Sequence, residues 1–251
     1  MTLPRAIFFD LDNTLADSFT IPTPEMFQLL TELLGKTSVA IVSAANFDRL
    51  NASIVDHLPQ DRLSHLYLFP LNGSGGFSRE GSTWKEEYYL ALTDAERDLI
   101  RTATLAALVA TGVADPSAAQ GELFIDRGGM IAFTALGFDA SPEEKAAWDT
   151  DRSKRRLILD HLQQHHPELF EHIDVAFGGR TGLDFTRKGV NKAYAVNWLA
   201  THLAVPSSEM LFIGDALYED GNDAAVIPTG IQTKQVANPT ETTEIIKNLL
   251  A

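Results

Sequence analysis

Three apolar runs of four residues end abruptly at a polar or small residue: 6–9 (Ala-Ile-Phe-Phe) at Asp10, 39–42 (Val-Ala-Ile-Val) at Ser43, and 210–213 (Met-Leu-Phe-Ile) at Gly214-Asp215. Runs this short do not carry the apolar stripe of a helix, and their lack of alternation means that both faces are covered, as in a buried parallel sheet. A fourth run, 66–70, ends before Asn72-Gly73 and adds a strand. Helix signals lie between them: Thr23-Pro24-Glu25 as cap, first position and first-turn acid before 26–34, and Asn46 before 47–58. The pattern predicts an α/β fold with a Rossmann-like parallel sheet. Ligands of such sheets bind where the carboxyl ends of the strands converge.

The middle of the chain reads differently. Residues 75–84 suggest a hairpin or edge pair, and Thr93-x-x-Glu96 is a capping box for a helix reaching about Thr111. Residues 121–126 and 130–136 flank Arg127-Gly128-Gly129 as a hairpin, 151–165 is amphipathic through Leu157, Ile158 and Leu162, and strands follow at 173–177 and 183–186. Helix, two strands, helix, two strands describes an α+β unit inserted into the parallel-sheet protein. Its boundaries are expected near Ser82 and Arg187, giving a core of 1–81 and 188–251 and an inserted domain of 82–187.

Asp10-Leu11-Asp12-Asn13-Thr14-Leu15 places two carboxylates two residues apart at the end of the first strand. Side chains two apart share a face, and a turn at Asn13 can re-aim the second, so one can attack while the other moves protons. Anions this close repel, and a divalent cation is the natural partner of the first. Gly214-Asp215 and Gly221-Asn222-Asp223 supply further oxygen ligands, which favour Mg2+ over zinc. Lys192, at the start of the helix leading back to the sheet, can neutralise a nucleophilic carboxylate and a phosphoryl group. Ser43 can donate to a phosphoryl oxygen, its position open by a residue or two because Ala45 and Asn46 follow.

A net charge of −14 with no basic cluster argues against nucleic acid and anionic membranes as partners, and requires an anionic substrate to find its cations within the site. The absence of cysteine excludes disulfides, thiolate catalysis and Cys-based zinc sites. Asp10 interrupts the first apolar stretch too early for a signal peptide, and no run approaches a membrane-spanning length, so a cytoplasmic enzyme is expected. His161, His165, His166 and His172 read as helix-surface residues, and Trp84, Trp148 and Trp198 as packing residues.

These motifs, in this order and spacing, resemble the haloacid dehalogenase (HAD) superfamily of phosphotransferases over almost the whole chain. The resemblance implies that Asp10 is the nucleophile, Asp12 the acid/base, Ser43 and Lys192 the phosphoryl holders, and Asp215 a Mg2+ ligand. It also implies that Asp10 and the main-chain carbonyl of Asp12 join the metal shell, and that the insertion is a type IIB (αββαββ) cap. Pro70-Leu71-Asn72-Gly73, residues 124–130, Gly178-Gly179 with Asp184, and Gly214-Asp215…Gly221-Asn222-Asp223 resemble the eukaryotic-type phosphomannomutases in particular.

In that branch cap arginines grip the distal phosphate of a sugar. Arg127 matches one, whereas Phe138 stands where another is expected, Lys145 replaces a third, Gly182 replaces a serine, and no arginine lies near 20–25. Arg127, Lys145, Asp184 and Arg180 are the expected substrate contacts. Weaker cap cations favour a phosphatase acting on a sugar phosphate or similar phosphomonoester, because a mutase must retain a bisphosphate while it reorients. A phosphohexomutase is the alternative, and a catalytically silent metabolite-binding protein a third. The resemblance further implies pairing of two copies through the cap.

Overall fold

The computed structural model describes residues 3–18, 20–219 and 221–251. The apolar runs are strands β1 (Ala6–Phe9), β2 (Ser38–Val42) and β3 (Leu66–Phe69), with helices α1 (Pro24–Leu34) and α2 (Phe47–Ser53) between them. A hairpin, β4 (Gly75–Glu80) and β5 (Thr83–Tyr89), follows. After the insertion the chain continues through α7 (Lys192–Leu203), β10 (Met210–Gly214), β11 (Gln232–Gln235) and α8 (Pro239–Leu250). The insertion itself holds α3 (Asp94–Thr111), β6 (Phe124–Asp126), β7 (Met130–Thr134), α4 (Pro142–Trp148), α5 (Ser153–His165), α6 (Pro167–His172), β8 (Ile173–Gly178) and β9 (Gly182–Arg187).

The larger sheet runs β11-β10-β1-β2-β3-β4-β5, parallel from β11 to β3 and antiparallel through the hairpin. Strand alternation divides its side chains cleanly. Ile7, Phe9, Val39, Ile41, Leu66, Leu68, Leu211 and Ile213 pack with Met26, Leu30 and Leu33 of α1 and Ile246 of α8. Ala6, Phe8, Ala40, Val42, Phe69, Met210 and Phe212 pack with Ala195, Val196 and Leu199 of α7. Helices cover both faces, which is why these strands show no polar alternation. Phe8 is fully buried between Phe69 and Phe212, with ring centroids 6.0 and 6.4 Å away. Phe8→Ala is expected to cost about 3–5 kcal/mol in urea unfolding through the cavity it leaves.

The three tryptophans pack as the sequence suggests: Trp84 edges Phe47, Trp148 packs in the core of the insertion, and Trp198 stacks on His202. Helix α2 is shorter than the expected 47–58. Ser53 Oγ donates back to the Arg49 carbonyl (2.6 Å), and Ile54 leaves helical geometry for a 3-10 turn over Val55–His57. Such back-bonding competes with helix continuation.

The chain divides into two compact units, Leu90–Val190 and the remainder. The inserted unit therefore starts later than Ser82: Thr83–Tyr89 is the antiparallel partner of β4 and stays in the larger sheet. It also ends later than Arg187, because Thr186 Oγ1 donates to the Val190 carbonyl (2.6 Å) and Gly189 N to Asp174 (3.0 Å).

Within the inserted unit the sheet runs β6-β7-β9-β8, all antiparallel. Its Ile131, Phe133, Leu183 and Phe185 pack on Ile100 and Ala107 of α3 and Ile158 and Leu162 of α5. Three helices, α4 to α6, stand between the strand pairs, where the order helix, two strands, helix, two strands has one. The capping box of α3 forms as read: Thr93 Oγ1 accepts from Glu96 N (3.3 Å), and Glu96 accepts from Thr93 N (2.6 Å).

Partial burial raises the Glu96 pKa, but the bonds from Thr93 and the charge of Arg187 outweigh it and hold the carboxyl below its ordinary value. A carboxyl depressed in the folded state stabilises fully above its unfolded pKa, 4.5, and loses that contribution as pH falls through the folded value. Glu96→Ala is expected to cost about 1 kcal/mol at neutral pH, a difference from wild type that shrinks in acid unfolding series.

Candidate active site

Register brings the ends of the parallel strands together. Phe9 pairs with both Ile213 and Ile41, Asp10 N donates to the Ile213 carbonyl (3.0 Å), and Ser43 N to the Phe69 carbonyl (3.1 Å). Asp10, Ser43 and Asp215 thus leave the sheet at one edge. The chain order reverses around β1, flanked by β10 and β2, and this is where an open α/β sheet forms its crevice.

Lys192 is the first residue of α7, whose cap Asn191 accepts from Ala193 N (3.0 Å). Its side chain is wholly buried, and Nζ donates to Asp10 Oδ1 (2.6 Å) and Asp223 Oδ1 (2.5 Å). The other Asp223 oxygen accepts from Ala216 N (2.9 Å). Gly214 makes room for this arrangement, since a Cβ there would stand 2.3 Å from Asp223 Oδ2. Asp10, Asp215 and Asp223 each offer a carboxylate oxygen within 4.8 Å of the others.

Three carboxylates around one ammonium leave excess negative charge in a largely buried site. Burial raises the Asp10 pKa, Lys192 opposes the rise, Asp223 and Asp215 add to it, and the net result is about 7. Burial and Asp223 also raise Asp215. Burial alone would lower Lys192, but Asp10 and Asp223 hold it above its ordinary range, so it stays charged. A buried all-oxygen set short of positive charge has the chemistry of a hard-cation site.

The side chain of Asp12 lies outside this carboxylate cluster and pairs with Arg49, Nη2 to Oδ1 at 2.6 Å. Sequence reading missed Arg49, which resembles any helix-surface residue three positions after a cap. Asn13 was read only as a turn residue. It adopts φ +60°, and its amide donates to Asp215 Oδ2 (3.4 Å). Ser43 is buried, and its Oγ accepts from Ala45 N (3.2 Å). Asn222 is half-buried, directly ahead of Asp223.

In the inserted unit, Arg127 is in the β6–β7 turn and Arg180 in the β8–β9 turn. Met130 pairs with Thr186 and Thr134 with Gly182, so these turns lie at opposite ends of the sheet, roughly 14 Å apart along β7. Arg127 and Arg180 are therefore not brought together as one grip. Asp184, buried, pairs with Ala132 between them. Lys145 Nζ donates to the Phe138 carbonyl (2.6 Å), so its ammonium is engaged locally. A Cβ at Gly182 would stand 1.8 Å from the Phe133 carbonyl. Gly182→Ser is thus expected to open the β7–β9 pair and destabilise by about 1–3 kcal/mol in chemical denaturation, rather than restore a substrate contact.

Residues 26–251 match the family model described as eukaryotic phosphomannomutase. The chain belongs to the eukaryotic phosphomannomutase family. The acidic pair precedes the matched span, but a probable phosphomannomutase of Caenorhabditis elegans aligns with all of this chain and 98% of its own length at 26% identity. A phosphomannomutase of Arabidopsis thaliana is 25% identical over 86% of this chain and 83% of its own.

Among solved structures, an IMP-bound, N-terminally truncated IMP-nucleotidase of Plasmodium falciparum superposes with a TM-score of 0.71. It shares 16% identity, covering 99% of this chain and 68% of that one. The C-terminal domain of a C. albicans trehalose-6-phosphate phosphatase gives 0.69 at 14% identity, covering 99% and 93%. These likenesses show the fold, an α/β core with an inserted α+β unit as in HAD proteins. Membership of the phosphomannomutase family makes the chain a phosphoryl-transfer enzyme. No helix among the described residues is long and apolar enough to cross a membrane.

Proposed function

We propose that this phosphomannomutase-family chain is a Mg2+-dependent phosphatase that takes the phosphoryl group of a sugar phosphate onto Asp10 and passes it to water. The observation that carries the reading is the buried bridge from Lys192 to Asp10 and Asp223, with Asp215 within 4.8 Å. Asp10 attacks phosphorus in line; Asp12 protonates the leaving oxygen and then accepts the proton of the attacking water. Lys192 keeps Asp10 in place and faces the charge that develops on the transferring group. Asp10, Asp215 and Asp223, with Asn222 and the main-chain carbonyl of Asp12, would hold Mg2+, which when bound supplies positive charge to the phosphoryl oxygens. Ser43 is assigned to the phosphoryl group, and Arg127, Asp184 and Arg180 to the sugar phosphate, with Lys145, engaged at the Phe138 carbonyl, as a weaker contact. Chelation with EDTA is expected to abolish turnover and Mg2+ to restore it.

Water is favoured as acceptor by the sugar-phosphate half of the site: Phe138 lacks a cation, and Lys145 is tied to the Phe138 carbonyl. A mutase reading is favoured by the near-complete match to the family and its relatives. Both share the first half-reaction and separate by product. Mannose 1-phosphate or glucose 1-phosphate, with and without the hexose bisphosphate, should release inorganic phosphate in phosphorus NMR. Accumulation of hexose 6-phosphate would replace the hydrolase by the mutase.

A further inference from the structure

Asp12 and Arg49 are each fixed by the backbone around them. Asp12 begins a tight loop in which Asn13 N donates to the Ala16 carbonyl (2.6 Å), and Ala16 N to the Leu11 carbonyl (3.1 Å). Arg49 lies in the first turn of α2, where its own N–H donates to the cap residue Asn46 (3.0 Å). These loops follow β1 and β2, neighbours paired in register up to Phe9 and Ile41. The 2.6 Å bond from Arg49 Nη2 to Asp12 Oδ1 therefore links two strand ends at the crevice edge.

We propose that Arg49 is a positioning residue that orients the Asp12 carboxyl for proton transfer at the reacting phosphoryl group. The proposal rests on the functional reading above. In the first step a bond forms between an Asp10 carboxylate oxygen and phosphorus, the ester P–O bond breaks, and the proton on the Asp12 carboxyl moves to the leaving oxygen. In the second, water oxygen bonds to phosphorus, the bond from the Asp10 oxygen to phosphorus breaks, and one water proton moves to the Asp12 carboxylate. A neutral carboxyl keeps an oxygen as acceptor, so a bond from Arg49 is compatible with both protonation states. Arginine suits the task because its planar guanidinium fixes direction as well as charge.

Leaving-group dependence separates positioning from a general structural role. Phenol leaves poorly without a proton, whereas p-nitrophenolate leaves without one. Arg49→Ala is expected to lower kcat/KM for phenyl phosphate about 10- to 100-fold. For p-nitrophenyl phosphate the same variant should change less than about threefold, because general-acid help is not needed. Arg49→Lys should retain part of the phenyl phosphate activity, and added guanidinium should raise that of Arg49→Ala. Equal losses on both substrates, or no loss on either, would overturn the role of Arg49 while leaving the phosphatase reading intact. A wild-type enzyme inert toward all phosphomonoesters would overturn both. Arg49→Gln carries the same comparison if Arg49→Ala does not fold.

Discussion

Asp10→Asn is expected to leave a folded protein whose phosphoryl transfer falls by at least about 10^4-fold, because an amide cannot attack phosphorus and no neighbouring group replaces it. Stability should move the other way or not at all. The ionised Asp10 carboxylate is buried beside Asp223 and Asp215, and its pKa of about 7 states that this environment opposes its charge. Asparagine removes that charge while Lys192 keeps Asp223. Thermal unfolding of Asp10→Asn should match or exceed wild type. A large loss of stability would show that the bridge, rather than the chemistry, is what Asp10 supplies.

Lys192→Ala should produce the opposite pattern, losing activity and fold together. It removes the ammonium between Asp10 and Asp223 and leaves two buried carboxylates without their counter-charge. Breaking a buried pair by deleting one partner costs about 3–5 kcal/mol, equivalent to a fall in melting temperature of roughly 10 °C. Combining Lys192→Ala with Asp223→Asn should recover part of the loss, since the second change removes a charge left without its partner. A double-mutant cycle with zero coupling would contradict the geometry.

The candidate site in the parallel sheet was legible for a specific reason. Strands covered on both faces cannot alternate, so β1, β2 and β10 stand out as unbroken apolar runs, and their ends locate Asp10, Ser43 and Asp215. Lys192 and Asp223 were recognisable as candidates, but their mutual bond depends on the fold of α7 and of the loop after β10. Arg49 was not visible: nothing in Phe47-Asp48-Arg49 separates a guanidinium aimed at Asp12 from one in solvent. Strand β11 was missed because Gln232–Gln235 is polar and exposed throughout, with backbone pairing to β10 as its only signature. The boundary at Ser82 cut a hairpin whose turn was legible, since sheet membership of Thr83–Tyr89 is decided by β4 rather than by local composition. The expected substrate contacts in the inserted unit were least legible, because the register of β7 with β9 sets Arg127 and Arg180 at opposite ends of one sheet.

In the proposed reaction Asp10 carries the phosphoryl group between donor and acceptor. Rapid acid quench during turnover of a phosphomonoester with Mg2+, followed by peptide mass spectrometry, tests it directly. A single acid-stable, hydroxylamine-labile phosphoryl group is expected on Asp10, absent from Asp10→Asn. Turnover with the label on another residue, or wild-type activity retained by Asp10→Asn, would contradict it.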